Sequence, residues 1–471
     1  LESSSTILFL LLTTTTMIRR TASLAFSHSQ QHSERIKVGI LGSGITGCTV
    51  ASTLLEASSS LSSSSNNNKK FDITIYEAGR GIGGRMSTRQ IIDDKSNQPI
   101  HQFDHGCQSI ATPKSNAFQV ELDRWKENGW VQPWKGRFGT IGCNDQNKII
   151  FKETMDEEER YVGYPRMNSI CENLVLSQSN SNGGGLSSTL EVVTGTHAHA
   201  THYCPQESSG DSTPMKMWKL ENRKEQPLGN YDWLIVTDRN SAQPHRLDLR
   251  NANMGSYAKL SNESMESIKS CTTMVAFDKP LPLSVDAIRL NYDDHHDPSS
   301  RKEVFGSLGW IARDSSKPGR QQLSEDGMGE CWVLQSHPEA AERILQMEEL
   351  QNASLTKIRE KIRDVMVEDF IQSIPYLVSI SNSSNDKNGE SSNNENNQQK
   401  QQSQSSADII SSIRHSVGHR WGAAFPLHIE TQDSKQNPFL DTECHMDSDK
   451  QFVACGDYFG EHHGTVEGAF L

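Results

Sequence analysis

Short apolar runs separated by polar segments organise the chain. Ile36 to Leu41 (IKVGIL) and Phe71 to Tyr76 (FDITIY) have the length and β-branched content of buried strands, and Cys48 to Ala57 between them has apolar helical spacing. Alternating runs at Thr273 to Phe277 and Cys331 to Leu334 predict strands of an antiparallel sheet. The tryptophan-bearing stretch Ser115 to Ile150, with Trp125, Trp130 and Trp134, is assigned to the same sheet. Pro338 to Phe370 has helical spacing with charges of both signs interspersed, which predicts a pair of surface helices. Gln451 to Cys455 reads as one more buried strand, and Val466 opens a helix.

Three polar tracts interrupt this pattern. Ser58 to Lys70, Ser177 to Ser188 and Ser381 to Ser406 consist largely of Ser, Asn, Gln, Gly and Lys, too little apolar surface to offset the entropy of ordering them. They explain why only 34% of the 471 residues are hydrophobic. Ile7 to Leu12 is a six-residue apolar run, far short of the ~20 residues that cross a bilayer, so no stable membrane span is expected. Residues 1–35 read as a leader: from Met17 the text carries Arg and Ser with no acid until Glu34, the composition of a plastid or mitochondrial address, with the cytoplasm as the alternative.

Charge narrows the partners. Forty-six Lys and Arg against 59 Asp and Glu give a net charge of −13, which disfavours nucleic acid and leaves a small-molecule substrate. The nine cysteines are scattered without a CxxC pair, and no His/Cys spacing converges on a metal. Oligomeric state is left open.

The chemistry-bearing signal is Gly42-Ser43-Gly44-Ile45-Thr46-Gly47, lying between the first strand and the helix. In a dinucleotide fold the first glycine makes a tight turn, the second admits a pyrophosphate and the third lets helix and strand pack closely. The second strand ends in Glu77, where a ribose hydroxyl would be gripped. Glu77 follows Gly47 by 30 positions rather than the usual ~20, and the Ser58 to Lys70 tract accounts for the excess. Gly83-Gly84-Arg85-Met86 follows, a second glycine pair beside a cation that a nicotinamide dehydrogenase does not need and a buried flavin dinucleotide does.

Here the sequence resembles the FAD-dependent amine-oxidase and renalase-like oxidoreductases, whose second strand leads from an acid into a GGR segment. Phe103 to Gln108 (FDHGCQ) resembles the family's DxGAQ segment beside the isoalloxazine, with Cys107 in place of Ala. Tyr161 to Leu174 resembles its PGM helix start, with Arg166 in place of the glycine, and Tyr231 to Asn240 resembles the third core strand. His419 to Pro426 resembles the RWxxAxP segment, and Phe452 to Asp457 with Thr465 to Ala469 resembles the closing GD and VEGA motifs.

The resemblance implies an α/β fold: a Rossmann-like FAD-binding domain of the glutathione-reductase/amine-oxidase type, with a second α+β substrate domain built on an antiparallel sheet. Expected boundaries are 36–112, 160–240 and 411–471 for the first, 113–159 and 241–380 for the second, and 381–410 for an insert. It implies noncovalent FAD at Gly42, Gly44, Ile45, Thr46, Gly47, Glu77, Ala78, Gly84, Arg85, Met86, Gly106, Cys107, Val193, Gly456, Asp457 and Val466. Cys455, on its strand, is not expected to form a thioether to the flavin. The implied reaction is hydride transfer from a reduced amine or dihydropyridine to flavin, with reoxidation by oxygen or another acceptor and NAD(P)H as one candidate substrate. His105, Gln108, Trp421 and Tyr458 are expected to line the substrate face. The alternatives are a nicotinamide-only dehydrogenase and a flavin-binding scaffold without turnover.

Overall fold

The computed structural model describes residues 35–60, 70–143, 149–154, 159–179, 188–203, 217–237, 247–248, 254, 257, 265–291, 304–320, 329–383, 405–428 and 442–471. The leader 1–34 and most of the three polar tracts lie outside the described residues.

Arg35–Leu41 is the central strand of a six-stranded sheet. Lys70–Tyr76 and Thr189–Val193 extend it on one side, and Trp233–Val236 and Phe452–Cys455 on the other, all parallel. Cys444–Asp447 closes the far edge antiparallel. Strands buried on both faces read as nearly continuous apolar runs. Val38, Ile40 and Ile75 are accordingly fully buried, each contributing ~1.5–3 kcal/mol. The helix Ile45–Ser60 packs on one face of this sheet beside the helix Ser169–Ser179. On the other face a small sheet, built from Ala198–Tyr203, Met217–Asn222, Pro227–Tyr231 and Leu247–Asp248, encloses Trp218, Tyr231 and Phe452.

The second large sheet has seven strands in the order Ile413–His428, Met265–Phe277, Glu330–Ser336, Leu308–Arg313, Ala287–Leu290, Phe138–Cys143 and Ile149–Glu153. It is antiparallel throughout except between Ala287–Leu290 and Phe138–Cys143. The molecule is therefore a mixed α/β protein with a Rossmann-like domain and a second, sheet-rich domain. The helices Pro338–Leu345 and Leu355–Ser383 do more than decorate its surface. Ile362, Met366, Phe370 and Ile374 follow helical spacing on the longer one and are buried against the seven-stranded sheet with Trp332 and Phe277.

Three boundaries differ from the expected ones. Asn116–Glu127 is a helix rather than part of the antiparallel sheet: Ser115 caps it by accepting from Phe118 N, and Phe118, Leu122 and Trp125 are buried in the core of the Rossmann-like domain. Their i, i+4, i+7 spacing is a helical stripe that the attention to tryptophans obscured. Only Phe138–Cys143 and Ile149–Glu153 of the 113–159 stretch join the large sheet. At the other end, Ile413–His428 pairs with Met265–Phe277 over almost its whole length, so this strand belongs to the second domain and not to the 411–471 portion of the first. Leu247–Asp248, expected with the substrate domain, pairs instead with Ala198–Tyr203 of the small sheet.

Candidate functional site

The glycine turn sits at the carboxyl end of the central strand. Gly42 N donates to Tyr76 O across to the neighbouring strand (2.9 Å), and Gly83 N donates to Ser43 O (3.0 Å), laying the second glycine pair on the first turn. A side chain at Gly47 would bring its Cβ within 2.0 Å of Gly42 O, so the helix can start here only from glycine. A Cβ at Gly44 would meet nothing within 4 Å. That open flank is where a pyrophosphate could approach the free N–H groups of the helix start. Gly84 adopts φ +52° with its Cβ position 3.3 Å from Gly44 Cα, so the two turns are in contact.

Glu77 occupies the tip of the second strand, as the spacing predicts. One carboxylate oxygen accepts from Ser43 N (2.9 Å) and Ser43 Oγ (2.7 Å), the other from Gly79 N (2.6 Å). Each carboxylate oxygen has two lone pairs, so one acceptor position remains for a ribose hydroxyl. Glu77 N donates to Val193 O (2.9 Å), which places Val193 beside Ala78 at the same edge. Ile45 is buried under the turn and Thr46 Oγ1 donates to Ala469 O (2.6 Å), bringing the Val466–Phe470 helix against the start of the first helix.

Arg85 reaches Asp457 rather than open space. Its two terminal nitrogens donate to the two carboxylate oxygens, a fork-to-fork pair, and one also donates to Ala424 O (3.1 Å). The pair links the GGRM segment to the Gly456 turn, where φ is +130°. Met86 is buried beneath it.

The Asp104 to Gln108 turn lies next to Arg85. Cys107 N donates to Arg85 O (2.8 Å), and a Cβ at Gly106 would stand 2.1 Å from that same oxygen. Gln335 Nε2 from the second sheet donates to Gly106 O (2.7 Å). The turn is thus pressed between the two domains. Burial pushes the Cys107 thiol up to about 11, so it is an unionised packing group. Burial likewise raises the Cys455 thiol, which faces Cys444 across its strand pair.

Of the four substrate-face candidates, two come together. The His105 and Trp421 rings stack 5.3 Å apart, and Trp421 Nε1 donates to His105 O (3.1 Å). Gln108 is buried in the turn, its amide nitrogen donating to Asp104 O and its oxygen accepting from Lys317 Nζ (3.2 Å). That makes it a clamp rather than a wall. Tyr458 is elsewhere: it is buried in the core under the small sheet, 3.5 Å from Tyr257 Oη and packed on Phe459. The positive φ of Gly456 turns the chain that way.

Two groups of residues went unforeseen. The first is a buried ion cluster. Lys317 Nζ donates to Asp314 (2.6 Å) and Asp104 (3.1 Å), Arg320 bonds both carboxylates, and none of the four side chains is more than 1% exposed. Burial works to raise the Asp104 pKa, but Arg320 and Lys317 outweigh it and hold the carboxyl below its ordinary range. Nothing but a Ser-Ser-Lys-Pro-Gly turn marked this segment in the sequence. The second is an imidazole cluster: His419 stands 4.8 Å from His105 and 4.5 Å from Trp421, and His415 stands 6.0 Å from His101, ring to ring. His415, His419 and Trp421 lie on one strand at even spacing, as His101 and His105 do at the end of Pro99–Asp104, a period-2 signal that was available. Burial, reinforced by Arg89, pushes His105 down to about 4; burial and His105 push His419 down to about 3. Among the described residues no group of three or more His, Cys, Asp or Glu is placed to hold a metal, and no helix is long and apolar enough to cross a membrane.

Residues 40–123 match the family of NAD(P)-binding Rossmann-like domains. A comparison with curated proteins finds no sequence match. Among solved structures, wild-type putrescine oxidase bound to putrescine is similar at 10% identity and a TM-score of 0.42, over 73% of this chain and 83% of that one. An oxidoreductase from Methanosarcina mazei is similar at 10% identity and 0.40, over 72% and 85%. At these scores nothing further is drawn from the likeness.

Gly44→Val should leave the unliganded protein folded, with Tm close to wild type, and abolish retention of a dinucleotide. Gly47→Ala should lower Tm outright; equal stability of the two variants would contradict the geometry. The histidines give a pH dependence. Their folded pKa values lie below the unfolded value of about 6.5, so the unfolded chain takes up the protons first. Their contribution to stability is complete above about pH 6.5 and is lost as pH falls toward 4. Tm should drop between pH 6.5 and 5, and less steeply in a His105→Gln, His419→Gln double variant; an unchanged slope would count against buried neutral imidazoles.

Proposed function

We propose that the chain is an FAD-dependent oxidoreductase of the amine-oxidase/renalase-like kind, binding the flavin noncovalently and oxidising a reduced amine or a dihydropyridine. The observation that carries this reading is the contact between the two glycine segments, with Gly84 against Gly44 and an open flank beside Gly44. A single dinucleotide turn needs only the first. The match of residues 40–123 to Rossmann-like domains supports the nucleotide half of the reading.

The residues present fit such a cofactor. Gly42, Gly44 and Gly47 would admit its pyrophosphate and Glu77 would accept from a ribose hydroxyl. Gly84, Gly106 and Cys107 would lie along its length. When bound, FAD supplies the acceptor for a hydride from the substrate. The chain's own residues position and desolvate. The stacked His105 and Trp421 rings form an aromatic wall next to Gly106, suited to a flat substrate. His105 and His419 stay neutral at pH 7 and add no charge of their own. The buried Cys455 thiol stays protonated, which disfavours a thioether link.

Because the matched family binds NAD(P), a nicotinamide-only dehydrogenase is the second reading. Spectra separate the two. The purified protein should be yellow, with the absorbance bands of oxidised flavin, and should bleach anaerobically with at least one member of a panel of amines and reduced nicotinamides. A colourless protein that binds NAD(P) would favour the second reading. A yellow protein that no donor bleaches would favour a scaffold without turnover.

A further inference from the structure

Two guanidinium groups beside the imidazole cluster have no counter-ion. Arg89 stands opposite Phe103 in the hairpin formed by Thr88–Ile92 and Pro99–Asp104, the hairpin that carries His101 and leads into His105. Arg359 lies on the Leu355–Ser383 helix where that helix presses on the strand bearing His419: a Cβ at Gly418 would come within 2.1 Å of Arg359 O. Among the described residues neither arginine has a carboxylate partner, whereas Arg85, Arg313 and Arg320 each have one. Arg89 is half-buried, and burial together with repulsion from Arg359 works against its charge. An uncompensated charge removed from water is costly, and a second of like sign adds to the cost.

The neighbouring orphans fall in the same place. Arg359 Nε, His101 Nδ1, His105 Nδ1 and His415 Nε2 are four of the twelve buried side-chain polar atoms that find no hydrogen-bond partner among the described residues. His105 is only 8% exposed, so water does not readily serve it. Such a group typically costs ~1–3 kcal/mol if left unpaired. Two cations and several imidazole nitrogens without acceptors are the complement of a group that is all acceptor and negatively charged.

We propose that Arg89 and Arg359, with His105, His415 and His419 around them, form a binding site for an oxyanion, a phosphoryl or carboxylate group. If the proposed function is right, that group belongs to the substrate, and the site selects anionic reductants over alkylammonium ones, which the paired guanidiniums repel.

Calorimetric titration of the protein as purified with inorganic phosphate, at ionic strength held constant with sodium chloride, tests the site without requiring turnover. One saturable phosphate per chain is expected. Arg89→Gln and Arg359→Gln should each weaken it at least tenfold, and Arg89→Lys should recover most of the loss. Arg223→Gln, at an exposed position far from the cluster, should change nothing. Phosphate should raise the Tm of the wild type and of Arg223→Gln but not of the two Gln variants, which also reports that those variants fold. Malonate in place of phosphate distinguishes the source: tighter malonate binding assigns a carboxylate, tighter phosphate binding a phosphoryl group. No saturable binding of either probe, or an affinity unchanged in both Gln variants, would overturn the proposal. Failure of the flavin reading would show separately, as a colourless protein that still binds the anion at Arg89 and Arg359.

Discussion

The buried cluster of Asp104, Asp314, Lys317 and Arg320 is the constraint on which the arrangement of the site depends. Two carboxylates and two cations lie out of reach of water. Desolvating four charges costs several kcal/mol per ion, so the cluster is tolerable only in a geometry where every charge meets its opposite. It also fixes position. Asp104 ends a strand of the Rossmann-side hairpin and accepts from Thr88 Oγ1 and Met167 N as well. Asp314, Lys317 and Arg320 follow Leu308–Arg313 of the second sheet. A shift of either domain by an ångström would break charge-assisted hydrogen bonds in a medium that cannot replace them.

The turn that matters follows at once. Gly106 and Cys107 come two and three residues after Asp104 and are wedged between Arg85 O on one side and Gln335 on the other. Arg85 is in turn held by Asp457, from the last strand of the parallel sheet. Four segments distant in sequence therefore meet through two ion-pair systems. The glycines supply close approach, and the charges supply registration. Beyond the turn, the aromatic and imidazole wall is contributed by the hairpin and by the edge strand of the second sheet, so the environment of any substrate is an interdomain property.

The local parts of this were legible in the sequence. The first strand, the glycine turn, the helix and the acid-tipped second strand each have a length and composition that only one local structure satisfies. The 30-residue gap before Glu77 was explained by its polar tract. What was not legible is pairing between distant segments. Ile413–His428 carries a motif associated with the cofactor yet is hydrogen-bonded into the other sheet, because strand partnership depends on tertiary register, not on composition. Tyr458 adjoins Asp457 in sequence but turns into the opposite core. Lys317 looked like a turn lysine, and only the fold brings two carboxylates to it. Asn116–Glu127 is the one failure with a local remedy, since Ser115 and the Phe118, Leu122, Trp125 stripe announce a capped amphipathic helix.

The account's central claim is that the Asp104 to Gln108 turn, pinned by the ion cluster, lies along a flavin dinucleotide that begins at Gly42 to Gly47. A crystal structure of the purified protein saturated with FAD tests it most directly. The account predicts the pyrophosphate over the open flank of Gly44 and the flavin ring against Gly106 and Cys107. A dinucleotide bound elsewhere, or with its ring directed away from that turn, would contradict it.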